Sequence, residues 1–133
     1  MSNKRALLGL LVAVAVLGII WSASGDTEPE PASAGNDSVS GLPVVQLSTL
    51  PPEAAEAVAL IDAGGPFPYP EQDGSRFGNF EGLLPGEIDG YYREYTVPTP
   101  DSDDRGARRI IAGEQDELYW TEDHYSSFER IAR

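Results

Sequence analysis

The sequence predicts an α+β domain, in which one helix is followed by a run of antiparallel strands. Three observations predict it. Apolar residues recur at helical spacing through residues 51–63. The second half of the chain holds short segments rich in tyrosine, valine and isoleucine, residue types that suit a pleated surface. Glycine, proline, asparagine and aspartate cluster between those segments, where the chain must turn.

The chain has 133 residues, and its start reads as a targeting segment. Lys4 and Arg5 precede the apolar stretch ALLGLLVAVAVLGIIW at residues 6–21, and SASG follows. This is the pattern of a signal peptide over residues 1–25, cleaved after Ser24. An uncleaved membrane anchor is the alternative, although the run is slightly short of the roughly 20 residues of a comfortable span. Positive charge before the run and acid after it place the remainder outside the cytoplasm in either case. The expected location is therefore secreted, or held on the outer face of the plasma membrane. Residues 26–41, DTEPEPASAGNDSVSG, lack the bulky apolar groups needed to offset ordering entropy and are expected to form a disordered acidic linker. One small domain is expected over residues 42–133.

Within it, LPVVQL at residues 42–47 reads as an entering strand. Ser48 or Thr49 can cap the helix, and Pro51 and Pro52 suit its first turn. Glu53 and Glu56 favour its positive N-terminal end. Ala54, Ala57, Val58, Leu60 and Ile61 share one apolar face, and Gly64-Gly65 ends the helix. Residues 64–74 form a loop, and residues 76–90 a loop with a short strand. YYREYTV at 91–97 and ARRIIAG at 107–113 are strands joined by a hairpin-like connection. ELYWT at 117–121 is a further strand, and a last one lies around Phe128.

The absence of cysteine excludes disulfides, thiol catalysis and zinc–thiolate sites. Of the chain's 22 acids and 9 basic residues, Asp26, Glu28, Glu30, Asp37, Lys4 and Arg5 precede residue 42. The domain thus keeps 18 acids and 7 arginines, a formal charge of −11. A broad basic face for nucleic acid is excluded, so any polyanion must be met at a local cluster. Arg105, Arg108 and Arg109 form such a cluster.

Charge inside a strand needs a reason, and Glu94 lies in the middle of YYREYTV. Alternation puts Tyr92, Glu94 and Thr96 on one face. If residues 105–111 are extended throughout, Arg105, Ala107, Arg109 and Ile111 share a face, and a hairpin brings Glu94 towards Arg105 and Arg109. A cross-strand ion pair worth roughly 0.2–1 kcal/mol is the plain structural reading. Two arginines for one carboxylate in an acidic protein hint at an anionic ligand. His124, the sole histidine, lies in TEDHY. It is either an exposed loop residue or a general acid, with Asp123 favouring its protonated form. Glutamate as base, histidine as acid and two arginines for phosphate make a set suited to phosphodiester transfer.

GPFPY, QDG, F-x-N-x-E, YYREYTV, RGARRIIAG and DHY stand in an order and spacing that resemble the small secreted microbial guanyl-specific ribonucleases, the barnase-like family, and its short bacterial members in particular. LSTLPPEAAE fits the same pattern. The resemblance covers residues 42–128. It implies a helix packed on an antiparallel sheet, with the active site on the sheet's exposed face. It implies Glu94 as the general base on the ribose 2′-hydroxyl and His124 as the acid on the leaving 5′-oxygen. Arg105 and Arg109 would hold the phosphate. The implied reaction cleaves single-stranded RNA 3′ of guanosine through a 2′,3′-cyclic phosphate to a 3′-phosphate. DNA, lacking the 2′-hydroxyl, is no substrate. Guanine recognition is implied for FGNFEG: Glu81 accepting from the base, backbone N–H groups near Gly78, Asn79 and Phe80 meeting its carbonyl, and Phe77 and Phe80 beside it. Asn79 suits a left-handed turn. Tyr125 resembles the tyrosine beside the histidine and lines the base or phosphate site. No metal or other cofactor is implied, and a monomer is expected.

The sequence departs from the family pattern in three places. Relatives often carry a disulfide from the first strand to the C-terminus, worth about 4–5 kcal/mol in the chain-entropy model; here Gln46 stands at the first position. Gly78 replaces a polar residue of the recognition loop, and Phe80 stands where many bacterial members have arginine. Asp101, Asp103 and Asp104 precede Arg105 and either weaken attraction for RNA or hold a cation. D-x-D-D lacks the later glycine and glutamate of a calcium loop, which disfavours the cation. A barstar-like inhibitor is a conceivable partner, but its acidic face would meet an acidic domain. The rival to an enzyme is a membrane-tethered module of the same fold, catalytically weak, that binds guanine nucleotides or a protein.

Overall fold

A computed structural model describes residues 35–133. The signal-peptide or anchor reading of residues 1–25, and the start of the 26–41 linker, lie outside these. The remainder of the linker is ordered, against expectation. The Asp37 carboxylate accepts bonds from the Ser40 N–H at 2.8 Å and hydroxyl at 2.7 Å. The Asp37 N–H donates to the Leu42 carbonyl at 2.7 Å, and Asn36 bridges to Pro43. Local polar bonds do here what the segment's composition could not do by apolar burial.

Strand β1, Val44–Gln46, runs directly into a 3-10 turn, Leu47–Thr49. The sequence placed Ser48 or Thr49 as the helix cap, but the Thr49 hydroxyl turns back to the Gln46 carbonyl at 2.8 Å. Pro51 is the N-cap instead, without a side-chain bond, and helix α1 spans Pro52–Ala63. Proline at both positions removes N–H groups that a cap would otherwise have to satisfy. Gly64 ends the helix in the left-handed conformation, with φ of 78°.

The remaining strands are β2 (Ser75–Phe77), β3 (Tyr92–Thr96), β4 (Arg109–Ala112), β5 (Leu118–Thr121) and β6 (Glu129–Ala132). They form one six-stranded sheet in the order β1-β6-β5-β4-β3-β2. The sheet is antiparallel except at β1, which pairs parallel to β6 with Gln46 opposite Ala132. That pairing ties the first strand to the C-terminus without a disulfide. Arg133 adds an ion pair with Asp62 at 2.7 Å.

Strand alternation divides the sheet into two faces, each with its own apolar cluster. On one face Val97, Ile110, Leu118, Trp120 and Ile131 pack with Ala54, Ala57 and Val58 of α1. On the other, Tyr91, Tyr92, Ile111, Tyr119 and Phe128 pack with Leu84. Ile110 and Ile111 are both fully buried, one in each cluster, so β4 is covered on both sides. Each such burial contributes about 1.5–3 kcal/mol. The helix therefore covers only one face, and the far end of the other is left for polar side chains.

Candidate active site

The polar end of the second face begins with Glu94. It sits at the centre of β3, between Ser75 of β2 and Ile111 of β4. Neighbouring strands on both sides fix its backbone, as a loop could not. Two residues along, Thr96 pairs with Arg109, and Arg109 with Thr121.

Arg105 does not lie in an extended segment, because β4 begins only at Arg109. Gly106 follows it with φ of 66°, and a Cβ there would meet the Thr99 hydroxyl oxygen at 2.5 Å. Both conformation and space demand glycine at this turn. The Asp104 carboxylate holds the turn by accepting from the Gly106 N–H at 2.8 Å and the Ser102 hydroxyl at 2.9 Å. Those bonds lower its pKa, the Gly106 bond most. From the turn Arg105 reaches back over the sheet. Its Nη2 lies 3.8 Å from Oε1 of Glu94, a loose contact. Its firmer hold is on Thr96, whose hydroxyl accepts from Nε at 3.2 Å and Nη2 at 3.0 Å.

Arg109 is 2% exposed. One of its terminal nitrogens donates to the carbonyls of Gly106 and Arg108, at 2.9 and 2.7 Å. Its Nε is buried and has no partner among the described residues. A desolvated guanidinium with an unused donor is poised for an anion, because leaving it unpaired is costly.

His124 is exposed in the loop after β5, with φ of 54°. Its N–H donates to the Ala107 carbonyl at 3.1 Å, which ties the histidine loop to the arginine turn. The hydrogen bonds of Asp123 go elsewhere in the loop. Its carboxylate takes bonds from the Thr121 hydroxyl at 3.0 Å and from the N–H and hydroxyl of Ser127 at 2.9 and 2.6 Å. Asp123 is thus the brace of a tight loop, and the Ser127 bonds, foremost among these, lower its pKa.

Tyr125 joins the parts. Its hydroxyl donates to Oε2 of Glu94 at 2.9 Å. Its ring stacks on Phe77 at 5.3 Å and lies 4.8 Å from the His124 ring. Burial, and next the bond to Glu94, raises the phenol's pKa, so it remains a donor at neutral pH.

Two clefts open from this centre. One, of about 330 Å³, is lined by Phe77, Gly78, Asn79, Phe80, Glu81, Glu94 and Tyr125, with Arg76, Leu83 and Phe128. Phe77 forms part of its floor, packed edge-on to Phe128. Asn79 has φ of 51°, in line with the expected left-handed turn. Its amide pins the loop, donating to the carbonyls of Leu84 and Pro85 and accepting from the Leu84 N–H. The Phe80 ring is 99% exposed and lies against Gly78, where a Cβ would stand 2.5 Å from it. Glu81 is exposed at the cleft. The second cleft, of about 730 Å³, is lined by Tyr69, Asp103, Asp104, Arg105, Gly106, Ala107, Arg109 and His124. Of the ten residues assigned to the site from the sequence, seven line the first cleft and Arg105, Arg109 and His124 line the second.

The ribonuclease family model matches residues 33–132. The chain belongs to the ribonuclease family. It is 57% identical over 89 residues to guanyl-specific ribonuclease St of Saccharopolyspora erythraea, covering 67% of this chain and 87% of that one. It is 57% identical over 95 residues to guanyl-specific ribonuclease Sa3 of Kitasatospora aureofaciens, covering 71% and 67%. Among solved structures it resembles ribonuclease Sa2 in complexes with mononucleotides, at 46% identity and a TM-score of 0.67 over 69% of this chain and 95% of that one. Ribonuclease Sa2 with guanosine-2′-cyclophosphate matches at 45% identity and a TM-score of 0.65, over 68% and 96%.

Sequence reasoning missed Thr96 as the anchor of Arg105. The signal was present, since Thr96 shares a strand face with Glu94. It also missed Asp104 and Asp123 as loop braces, because aspartates in turns look alike until their partners are known.

Proposed function

We propose that this ribonuclease is a guanyl-specific endoribonuclease that cleaves RNA 3′ of guanosine through a 2′,3′-cyclic phosphate. The observation that carries the reading is the junction of the two clefts. Glu94 borders the first, Arg105, Arg109 and His124 border the second, and Arg105 and Tyr125 reach Glu94 itself.

In this reading guanine enters the first cleft, with Glu81 accepting from its ring N–H and amine. The scissile phosphate lies against Arg105 and Arg109, whose charge offsets the negative charge that grows on the non-bridging oxygens. Glu94 takes the proton of the 2′-hydroxyl as O2′ attacks phosphorus. The bond from phosphorus to O5′ breaks, and His124 supplies the proton to O5′. In the second step water attacks the cyclic phosphate with the two roles exchanged, which leaves a 3′-phosphate. The basic and apolar start of the sequence supports export of this activity from the cytoplasm. The chain acts as a monomer.

Incubation of the purified protein with the dinucleotides GpC and ApC tests the reading. Guanosine 2′,3′-cyclic phosphate should accumulate from GpC, with ApC left largely intact. Glu94→Gln should remove turnover by about 100-fold or more while leaving nucleotide binding. Binding without cleavage by the folded wild-type protein would overturn the enzyme in favour of the binding module.

A further inference from the structure

The second cleft carries charge of both signs. Arg105 and Arg109 line it, and Arg105 reaches Glu94. Asp103 and Asp104 line the same cleft, and the exposed Asp101 stands in the same loop. Glu122, Asp123 and His124 follow one another in the loop after β5, and His124 lines the cleft. The nearby Arg108 is directed at Glu122, 3.7 Å away. The cations lining the cleft are thus Arg105, Arg109 and His124, and the reaction uses all three. That the cleft receives an anion rests on the buried, unpartnered Nε of Arg109. One phosphate satisfies that nitrogen; a second would face the acids.

Direction along the strand follows from the proposed function, on which this inference rests. Guanosine occupies the first cleft, and His124 protonates the oxygen of the departing nucleoside. The departing nucleoside therefore lies in the second cleft, with the Tyr69 ring, 5.8 Å from the Arg105 guanidinium, as one wall. With the arginines and His124 engaged at the scissile phosphate, a phosphate on its 3′-oxygen would meet Asp103 and Asp104 as the remaining charged lining of the cleft. We propose that the loop bearing Asp101, Asp103 and Asp104 makes this ribonuclease discriminate by charge against a second phosphate on the leaving side. It then cuts a guanosine next to the 3′ end of a strand, or in a dinucleotide, in preference to an internal one.

Charge pairs at exposed separations of several ångströms give a penalty on the order of tenfold at low ionic strength for two acids acting together. The Debye length shrinks from about 30 Å at 0.01 M salt to below about 8 Å above 0.15 M, so salt should erase the penalty. A steric wall would not respond to salt.

The test compares kcat/KM for GpC and for GpCp, the same dinucleotide with a 3′-phosphate. In about 0.01 M salt the wild type should cut GpC on the order of ten times faster. The ratio should approach one in about 0.5 M salt and should fall part of the way towards one in the Asp101→Asn/Asp103→Asn variant at low salt, where Asp104 remains. Asp104 is left intact because its carboxylate holds the turn of Arg105. The variant's rate on GpC should stay near the wild type's, which verifies its fold. Equal or faster cleavage of GpCp by the wild type, a penalty that survives high salt, or a penalty unchanged in the folded variant overturns the proposal. Failure to cut GpC at all overturns the enzyme reading itself and is thereby distinguished. Should the variant not fold, the salt dependence of the wild type decides alone.

Discussion

The Tyr125 hydroxyl donates to Oε2 of Glu94 across 2.9 Å, from a residue 31 positions further along the chain. The bond joins the loop after β5 to the centre of β3 and gives one carboxylate oxygen a fixed partner. The other oxygen faces Arg105. A carboxylate held at one oxygen by a hydrogen bond and facing a cation with the other favours one orientation, which a general base requires.

Tyr125→Phe should therefore lower kcat/KM on GpC by about tenfold, the value of one hydrogen bond to a charged group. The loss should fall on kcat more than on KM, because Phe can keep the stack on Phe77. Steady-state kinetics with circular dichroism as a fold control would check this. An unchanged kcat would mean that Glu94 is held without the tyrosine.

Thr96 stands to Arg105 as Tyr125 stands to Glu94. Its hydroxyl accepts from two of the guanidinium's donors, and the residue is buried. Thr96→Val keeps the shape and removes the acceptor. We expect kcat/KM to fall about tenfold, and Thr96→Ser to restore most of it. Rescue by serine separates the hydrogen bond from packing.

Glu81 lines the first cleft and is distant from the arginine turn in the chain. Glu81→Gln should lower kcat/KM on GpC about 10–100-fold, the cost of a lost charged acceptor. The slow cleavage of ApC should change little, because adenine does not offer the paired donors that the carboxylate accepts. An equal fall on both dinucleotides would move Glu81 from recognition to general support.

Alkaline pH should unfold the domain through its tyrosines. The neighbouring Glu117 carboxylate, and then burial, pushes Tyr91 up to about 12. Burial raises Tyr92 and Tyr119 as well. The folded state holds these protons more tightly than the unfolded chain, where tyrosine titrates near 10. Their contribution is thus full below about pH 10 and is lost as pH rises through the folded values. Urea midpoints should stay level up to about pH 9.5 and fall above about 10, and less steeply for Tyr92→Phe. A midpoint that is flat to pH 12 would contradict this.

Much of this protein follows from near neighbours in the chain, and such features were legible in the sequence. The helix ends at Gly64 because only glycine takes that φ without strain, and the period of Ala54, Ala57 and Val58 declares the buried face. The two-residue period of YYREYTV puts Glu94 and Thr96 on one face and Tyr95 and Val97 on the other, as the sheet has them. Asn79 declares its own left-handed turn. These features depend on sterics and periodicity over a few residues. What only the tertiary structure decided depends on which partners the folded chain brings together. The parallel pairing of β1 with β6 joins Val44 to Arg130, and no local pattern distinguishes a parallel edge from an antiparallel one. The choice of Thr96 over Glu94 as the firm partner of Arg105 depends on a turn that departs from strand geometry. The order in residues 35–41 depends on hydrogen bonds within the segment and to Leu42 and Pro43, which composition does not reveal. Composition measures apolar area, and a polar segment can be ordered by bonds that composition does not count.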